Sequence, residues 1–351
     1  MSAIKPDYIR PLDIHKGHVD LSHGGGGRAM AQLIGEIFCA AFSNEYLEQG
    51  NDGAVLPVPP GSGRMVMTTD AHVVSPLFFP GGDIGCLSVH GTVNDLAVMG
   101  AHPLWLAASF VLEEGFPLAD LKHIVDSMAN AARMAGVCIV TGDTKVVERG
   151  KGDGVFITTT GLGVVPDGLV LSGDRARAGD AVLLSGTIGD HGMAIMSKRE
   201  NLTFDAPIES DTAALNGLVA DMLASGADIH VMRDPTRGGL ATTLNEIAKQ
   251  SGVGMTLDEA SIPLCPVVGA ACEFLGFDPL YIANEGKLVA ICAADDATRL
   301  LAAMRAHPLG RESAIIGTVQ ADPHHFVQMK TRFGGRRNVD WLSGEQLPRI
   351  C

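Results

Sequence analysis

The chain of 351 residues lacks the cysteine pattern of a zinc knuckle or a disulfide framework. Its seven cysteines include no C-x-x-C pair and are odd in number, whereas such frameworks need paired or closely spaced cysteines. Long apolar runs are missing too. The N-terminal MSAIKPDYIR has no signal-peptide core, and stretches such as 104–112 are too short to span a bilayer. We therefore expect a soluble, cytoplasmic protein without a membrane partner.

Basic runs are also scarce. The net charge is −14, and no basic run is longer than Arg336-Arg337, which argues against nucleic acid as the main partner. An acidic enzyme that holds ATP would need a divalent cation between its own carboxylates and the phosphates.

The length and the 46% hydrophobic content favour two domains. Periodicity predicts helices over 29–42, 84–99 and 118–135, and strands over 64–74, 103–112, 137–140 and 154–165. A cluster of Pro, Gly, Asp and Arg at 167–180 is typical of a domain junction, and the alternation restarts with a strand at 181–185. The pattern predicts an α/β (α+β) protein with domains over 1–167 and 168–333 and a flexible tail over 334–351.

Four consecutive glycines, Gly24, Gly25, Gly26 and Gly27, lead directly into the first predicted helix. Glycines let the backbone approach a ligand closely, and helix N-terminal amides favour an anion such as phosphate. The segment is not a Walker A loop, because Gly-Lys-Ser/Thr is missing. A flexible hinge is the alternative interpretation.

Acidic residues recur through the first half. Asp52 lies in Asn51-Asp52-Gly53, Asp70 ends a predicted strand, and Asp143 with Lys145 follows the strand 137–140. Carboxylates at strand ends suit Mg²⁺, which prefers a few carboxylates together with phosphate oxygens and water, whereas an isolated Asp-Gly is often only a turn. A lysine near such groups can neutralise charge or move a proton.

The predicted helix 84–99 carries an unusual polar face. Asp83, His90 and Asn94 are spaced seven and four residues apart, and Asp95 follows directly. Such groups are costly to bury on an otherwise apolar helix unless they are satisfied or have a function. We expect these four polar residues to lie in or beside a functional site.

The second half adds two motifs and a terminal thiol. Asp234 lies in Arg-Asp-Pro-Thr-Arg-Gly-Gly, which predicts a helix with proline in its first turn, and Glu285 lies in Asn-Glu-Gly-Lys before a strand at 288–292. A simple turn is the alternative for the second motif. Cys351 ends an arm that could reach roughly 50 Å, although an odd terminal cysteine can be incidental.

These segments together resemble the HypE family of hydrogenase maturation factors. The resemblance rests on SHGGGGR, TTDAHVV, VNDLAVMGA, GDTKVV, RDPTRGGL and the terminal PRIC, and runs from about Gly24 to Cys351. The wider superfamily includes aminoimidazole ribonucleotide synthetase, formylglycinamidine ribonucleotide synthetase and selenophosphate synthetase. Within this superfamily, the terminal Pro-Arg-Ile-Cys motif specifically resembles the HypE family. It implies a homodimer of two-domain PurM-like subunits, in which the N-terminal domain binds ATP with Mg²⁺ and forms the dimer.

The resemblance also implies a reaction and its partners. The carbamoyltransferase HypF loads a carbamoyl group onto the terminal cysteine, and ATP-dependent dehydration turns this thiocarboxamide into a thiocyanate. The cyano group then passes to iron on the HypC–HypD complex and becomes a cyanide ligand of [NiFe]-hydrogenase.

Site roles follow from the same resemblance. It assigns Cys351 as the carrier thiol, and Lys145 and Glu285 to proton removal and charge control. The implied metal and phosphate carboxylates are Asp52, Asp70, Asp95 and Asp234, and the further nucleotide contacts are Asp143, Asn94 and Gly24 to Gly27. Asp83 and His90, and alternatively Asn94, support the site.

Two other functions stay open. A selenophosphate synthetase would share the carboxylates and ATP, but its family typically has a reactive Cys or selenocysteine before the glycine-rich loop, where this chain has His23. A non-catalytic carrier of iron or cyanide would use Cys351 and histidines. The histidines, however, show no ligand-like spacing beyond His324-His325, and a carrier needs no ATP-site aspartates.

Overall fold

A computed structural model describes residues 11–24, 28–49, 54, 56–57, 59, 61, 63–204, 206–342, 347 and 350. Gly25, Gly26, Gly27, Asp52 and Cys351, to which the sequence assigns roles, lie outside the described residues. Among the residues that are described, no helix combines the length and apolar character that crossing a membrane requires.

The first domain is a four-stranded sheet with two long helices on one face. Its elements are α1 (Arg28–Leu33), α2 (Ala40–Phe42), β1 (Gly63–His72), β2 (Phe78–Phe79), β3 (Gly82–Asp83), α3 (Ile84–Val98), β4 (His102–Glu113), α4 (Leu118–Ala135), β5 (Cys138–Val147) and β6 (Val155–Pro166). A π-helical stretch, Ile34–Cys39, joins α1 to α2. The sheet order is β1-β6-β4-β5, and only the β4–β5 pair is parallel.

The second domain is built on a seven-stranded sheet in the order β13-β12-β9-β11-β7-β10-β8. Its elements are β7 (Ala181–Leu184), α5 (Asp190–Arg199), α6 (Asn216–Ala224), β8 (Ile229–Arg233), α7 (Gly239–Ser251), β9 (Gly254–Asp258), α8 (Pro266–Leu275), β10 (Val289–Cys292), α9 (Ala297–Ala306), β11 (Ala314–Gln320), β12 (Val327–Lys330) and β13 (Arg336–Asn338). The sheet thus continues past residue 333, where the sequence places the end of this domain, and Val339 is buried in its core.

The two faces of the first sheet differ in their surroundings. Along β6, residues alternate between buried and more exposed, as expected of a half-buried strand. The buried face packs against α3 and α4, whereas Met65 and Met67 on β1 and Thr158 on β6 remain exposed. One broad face of this sheet is therefore left uncovered by the residues that the structure describes.

Sequence periodicity predicted the long elements correctly. The predicted helices over 84–99 and 118–135 correspond to α3 and α4, and the strand over 154–165 corresponds to β6. Because these segments repeat their apolar residues over many positions, the signal outweighs local exceptions.

Two shorter predictions were wrong. The residues 141–145 lie inside β5 rather than after a strand ending at 140, because β5 pairs in parallel with β4 along that whole stretch. The helix predicted to begin near Pro235 begins at Gly239, since Gly238 and Gly239 take φ angles of 75° and 60°. Those angles, which glycine adopts readily, delay the helix.

Candidate functional site

Three predicted carboxylates, from β1, α3 and the loop after β8, lie at one place between the domains. Asp70 is near the end of β1, Asp95 is near the end of α3, and Asp234 directly follows β8. Thr68 donates a hydrogen bond from its hydroxyl to Oδ2 of Asp95 at 2.8 Å, which fixes that carboxylate. Thr68, Asp95 and Asp234 line a common cleft. The structure thus brings together three of the four predicted metal carboxylates.

Electrostatics within this acidic cluster favour a bound cation. Burial raises the pKa of Asp234 to about 7, and the charges of Asp95 and Asp70 add to that rise. Burial also raises the pKa of Asp95, with a further contribution from Asp70, while Arg233 and Arg237 oppose it. Each carboxylate therefore makes ionisation of its neighbours harder. A divalent cation would relieve this repulsion.

The cleft beside the cluster has a volume of about 650 Å³, which is within the usual range for a small-molecule site. Besides Thr68, Asp95 and Asp234, its lining includes Ser172, Arg233 and Gln250. The polar wall and the nearby arginines are suited to a phosphorylated ligand.

The acidic cluster fits Mg²⁺ bound together with a nucleotide. Within the described part of the chain, no group of three or more His, Cys, Asp or Glu side chains converges as a self-sufficient metal site. Mg²⁺ rarely needs such a cage, because it keeps several waters and binds through one or two carboxylates and substrate phosphates. Asp70, Asp95 and Asp234 would provide those carboxylates.

The glycine-rich loop begins at the opposite edge of the first sheet. A Cβ on Gly24 would lie 2.9 Å from the Val146 backbone, so this end of the loop contacts β5 directly. On the same strand, Lys145 Nζ lies 2.6 Å from Oδ2 of Asp143, and this hydrogen bond lowers the pKa of the aspartate. Both side chains are largely exposed.

These β5 groups are separated from the acidic cluster by the width of the sheet. Strands β1 and β5 are its two edges, and three strand spacings amount to about 14 Å. A single subunit therefore presents Asp143 and Lys145 on one edge and Asp70 on the other.

The polar face of α3 connects to the second domain. Asp83 caps the helix by accepting hydrogen bonds from the backbone N–H groups of Gly85 and Cys86. His90 Nδ1 lies 3.0 Å from the Thr212 hydroxyl, and burial lowers the pKa of His90 to about 4. His90 is therefore neutral near pH 7. The supporting roles of Asp83 and His90 stay predictions.

The side chain of Asn94 forms hydrogen bonds from the first domain to the second. Its Nδ2 donates to the carbonyl oxygens of Ala213 and Glu285, and its Oδ1 accepts from the Leu215 N–H at 2.7 Å. The side chain is 1% exposed. This arrangement favours the supporting role for Asn94, and a direct nucleotide contact stays a prediction.

Glu285 lies in a buried charged cluster that the sequence only partly indicated. Its backbone N–H donates to Oδ1 of Asp211 at 3.0 Å, and Lys287 Nζ lies 3.4 Å from Oδ2 of the same aspartate. A Cβ on Gly286 would lie only 1.8 Å from the Asp211 carbonyl oxygen, so the motif requires glycine there. Asp211 and Lys287 were missed, although Lys287 stands within the motif itself.

The last described residue, Ile350, is docked between the domains. It is 4% exposed and belongs to the same apolar cluster as Ile195 and Ala283. Its carbonyl oxygen lies 2.8 Å from Nε2 of the buried His191. Sequence reasoning missed His191, whose only signal was its position between glycines in Gly189-Asp190-His191-Gly192.

Comparison with known proteins identifies the family of this chain. The family model "AIR synthase related protein, N-terminal domain" matches residues 50–165, and its C-terminal counterpart matches residues 177–330. The fold and the site thus define a protein of the AIR synthase related class. The chain is 72% identical to the carbamoyl dehydratase HypE of Cupriavidus necator over 99% of both chains, and 45% identical to that of Escherichia coli over 95% and 99%. It belongs to the HypE family.

Solved structures agree with this membership. The crystal structure of a hydrogenase maturation protein HypE in complex with ATP has a TM-score of 0.91 and 49% identity, covering 95% of this chain and 99% of its own. A HypE–HypF complex has a TM-score of 0.78 and 51% identity over 88% and 99%. Thiamine-monophosphate kinase of Stenotrophomonas maltophilia, 22% identical over 88% and 97% with a TM-score of 0.62, shares only the fold. The predicted family and PurM-like fold class are confirmed.

Proposed function

We propose that the chain uses ATP to dehydrate a carbamoyl group carried on its own Cys351, giving a thiocyanate that supplies cyanide ligands for the iron of [NiFe]-hydrogenase. The observation that carries the proposal is the docked tail. Ile350, the residue before Cys351, is buried in the apolar cluster that contains Ala283, and Ala283 lies two residues along the chain from Glu285. The carbamoyl dehydratase HypE of Cupriavidus necator and the related HypE structure with bound ATP support an ATP-dependent dehydration.

The chemistry explains why ATP is needed. An amide oxygen is a poor leaving group, so its attack on the γ-phosphorus of ATP, with departure of ADP and loss of one N–H proton, gives an iminophosphate. Loss of the second N–H proton then expels phosphate and leaves S–C≡N. Two easier steps replace one difficult step.

The described residues divide this work between them. Asp70, Asp95 and Asp234, together with Asp52, would hold Mg²⁺ and, through it, the phosphates of ATP. The bound Mg²⁺ would supply positive charge to offset that of the phosphates. Asp143 on β5 and Gly24 beside that strand would contact the nucleotide. Lys145 and Glu285 remove the protons and control charge around the thiocarboxamide. Glu285 is buried, and a buried site would limit the access of water to the iminophosphate.

A homodimer is part of the proposal because the first domain leaves one sheet face open. Face-to-face packing of two such sheets would bury Met65, Met67 and Thr158. It could also place β5 of one subunit beside β1 of its partner, and so bring Lys145 to an acidic cluster that lies across the sheet within a single chain.

The partners and the compartment follow from the reaction. A carbamoyltransferase, HypF, must load Cys351, and an iron-carrying HypC–HypD complex must accept the cyano group. A HypE–HypF complex exists among the related structures. A reducing cytoplasm suits this chemistry, since the six cysteines among the described residues are free thiols.

Measuring ADP release with an unmodified and a carbamoylated tail tests the proposal. Incubation with ATP and Mg²⁺ should release ADP at a substantial rate only from the carbamoylated protein, and mass spectrometry should find a cyano adduct on the C-terminal peptide. ADP release that depended on selenide instead would favour a selenophosphate synthetase. Conversion without ATP, or none with it, would refute the proposed reaction.

A further inference from the structure

His191 on α5 is fully buried and uses both ring nitrogens. Nε2 lies 2.8 Å from the carbonyl oxygen of Ile350, and Nδ1 lies 2.7 Å from the hydroxyl of Ser210. The ring also meets Phe79 edge to face, with 5.5 Å between the ring centres. This side chain thus joins the second domain, the first domain and the end of the tail.

The partners fix which nitrogen carries the proton. A carbonyl oxygen can only accept, so Nε2–H donates to Ile350. Nδ1 of the neutral ring then accepts from the Ser210 hydroxyl, whose oxygen accepts from the Thr212 N–H at 3.1 Å. Burial lowers the pKa of His191, which keeps the ring in this neutral form. A donor of fixed direction therefore faces the tail.

Apolar contacts complete the tail's binding site. Ile350 belongs to the cluster that contains Ile195, also on α5. A Cβ on Gly192 would lie 3.1 Å from Cδ1 of Leu347, so the tail lies directly against the helix. Among the described residues, the site thus provides a hydrogen-bond donor at His191, buries Ile350 and places Leu347 against the helix.

We propose that His191 is a positioning residue that holds the C-terminal tail in register for dehydration, and this inference rests on the proposed function. The carbonyl group it binds belongs to the peptide bond that joins Ile350 to Cys351. Holding that peptide fixes the backbone next to the reacting sulfur, while the ring does not need to touch the carbamoyl group. Register matters because a shift of one residue would move Cys351 by about 3.8 Å.

A simpler interpretation is that His191 only fills space in the core. If His191 only fills space, tail docking should depend on the volume of the side chain at this position. If His191 holds the tail, docking should depend on whether the side chain carries an N–H donor. His191→Phe retains an aromatic ring without a donor, whereas His191→Gln retains an N–H. Ser197→Ala is a matched control, because Ser197 is buried on the same helix and its hydroxyl donates a hydrogen bond within that helix, to the Ala194 carbonyl oxygen.

The experiment measures alkylation of Cys351 by iodoacetamide in the full chain, followed on the C-terminal peptide by mass spectrometry, with ATP and Mg²⁺ present. Loss of one hydrogen bond in His191→Phe should raise the fraction of protein whose tail is undocked. The alkylation rate of Cys351 should therefore rise about three- to tenfold. His191→Gln should be closer to wild type, and Ser197→Ala should match it. Thermal unfolding confirms that every variant is folded.

A second measurement uses Ile350→Ala, alone and combined with His191→Phe. If both residues hold the same docked tail, the double variant should be alkylated faster than either single variant, because both contacts contribute to one docking equilibrium. The proposal is overturned by a wild-type rate in His191→Phe, by equal rates in His191→Phe and His191→Gln, by an equal rise in Ser197→Ala, or by a double variant no faster than Ile350→Ala alone. Because alkylation needs no turnover, a failure of the proposed dehydration would show separately, as absence of the cyano adduct.

Discussion

Asn94 Nδ2 donates a hydrogen bond to the backbone carbonyl oxygen of Glu285 at 3.1 Å, across the boundary between the two domains. The next residue along the helix, Asp95, accepts a hydrogen bond from Thr68 in the acidic cluster. Two consecutive residues of α3 therefore serve both parts of the site. Asn94 binds the backbone of the candidate proton-transfer residue Glu285, and Asp95 is itself a candidate metal carboxylate. Their spacing is set by a helix that is buried along nearly its whole length.

Replacing Cys351 should abolish cyano-group formation without loss of nucleotide binding. Cys351→Ala removes only the thiol at the end of the chain, which contributes little to any core. We expect no cyano adduct in mass spectrometry and an ATP affinity, measured by calorimetry, within about twofold of wild type. Cys138→Ala, which removes an exposed thiol on β5, is the control and should retain the adduct. A cyano adduct on the Cys351→Ala protein would contradict the assignment.

Neutralising the acidic cluster should remove Mg²⁺-dependent turnover. Asp95→Asn and Asp234→Asn keep the size of the side chain but remove its negative charge, and so weaken binding of the cation. A bound cation stabilises the charge of the phosphoryl-transfer transition state by several kcal/mol. ADP release should therefore fall by at least about 100-fold. Asp126→Asn, which affects only a surface pair with Lys122, should be near wild type. Wild-type turnover in both cluster variants would mean that these carboxylates are structural.

Mixing two inactive variants should reveal whether the site is shared between subunits. Lys145→Met and Glu285→Gln should each stop dehydration, because each removes one of the groups proposed to move protons. If Lys145 acts across the dimer, mixed dimers contain one site with both native residues, and mixing should restore part of the activity. Absence of recovery, in mixtures shown by tagged co-purification to contain mixed dimers, would place both residues in one subunit.

Protonation of His90 should destabilise the fold in acid. Its pKa is near 4 in the folded protein, against about 6.5 when unfolded, so below pH 6.5 the unfolded chain binds a proton that the folded protein does not. Stability is therefore lost as the pH falls from 6.5 to 4, by up to about 3 kcal/mol. Urea unfolding of wild type and His90→Gln should show curves that diverge over this range. Parallel curves would contradict the buried, neutral state.

The sequence motifs predicted the kinds of groups in the site better than their arrangement. Asp70, Asp95 and Asp234 could be singled out because one lies near the end of a strand, one on an apolar helix and one just before a proline and a pair of glycines. The partner Asp211 was harder to predict, since it is far in sequence from Glu285 and accepts a hydrogen bond from a backbone N–H, which leaves no trace in residue type. His191 had no motif beyond its flanking glycines.

The sequence alone determined the family, the order of the long helices and strands, and the acidic and glycine-rich segments, because these depend on local pattern and on residue type. Tertiary structure decided which segments meet. It placed Asp143 and Lys145 on the sheet edge opposite Asp70, turned Asn94 towards Glu285 and docked Ile350 on His191. These contacts join residues up to 191 positions apart. They arise from strand order and domain packing, which local periodicity does not encode.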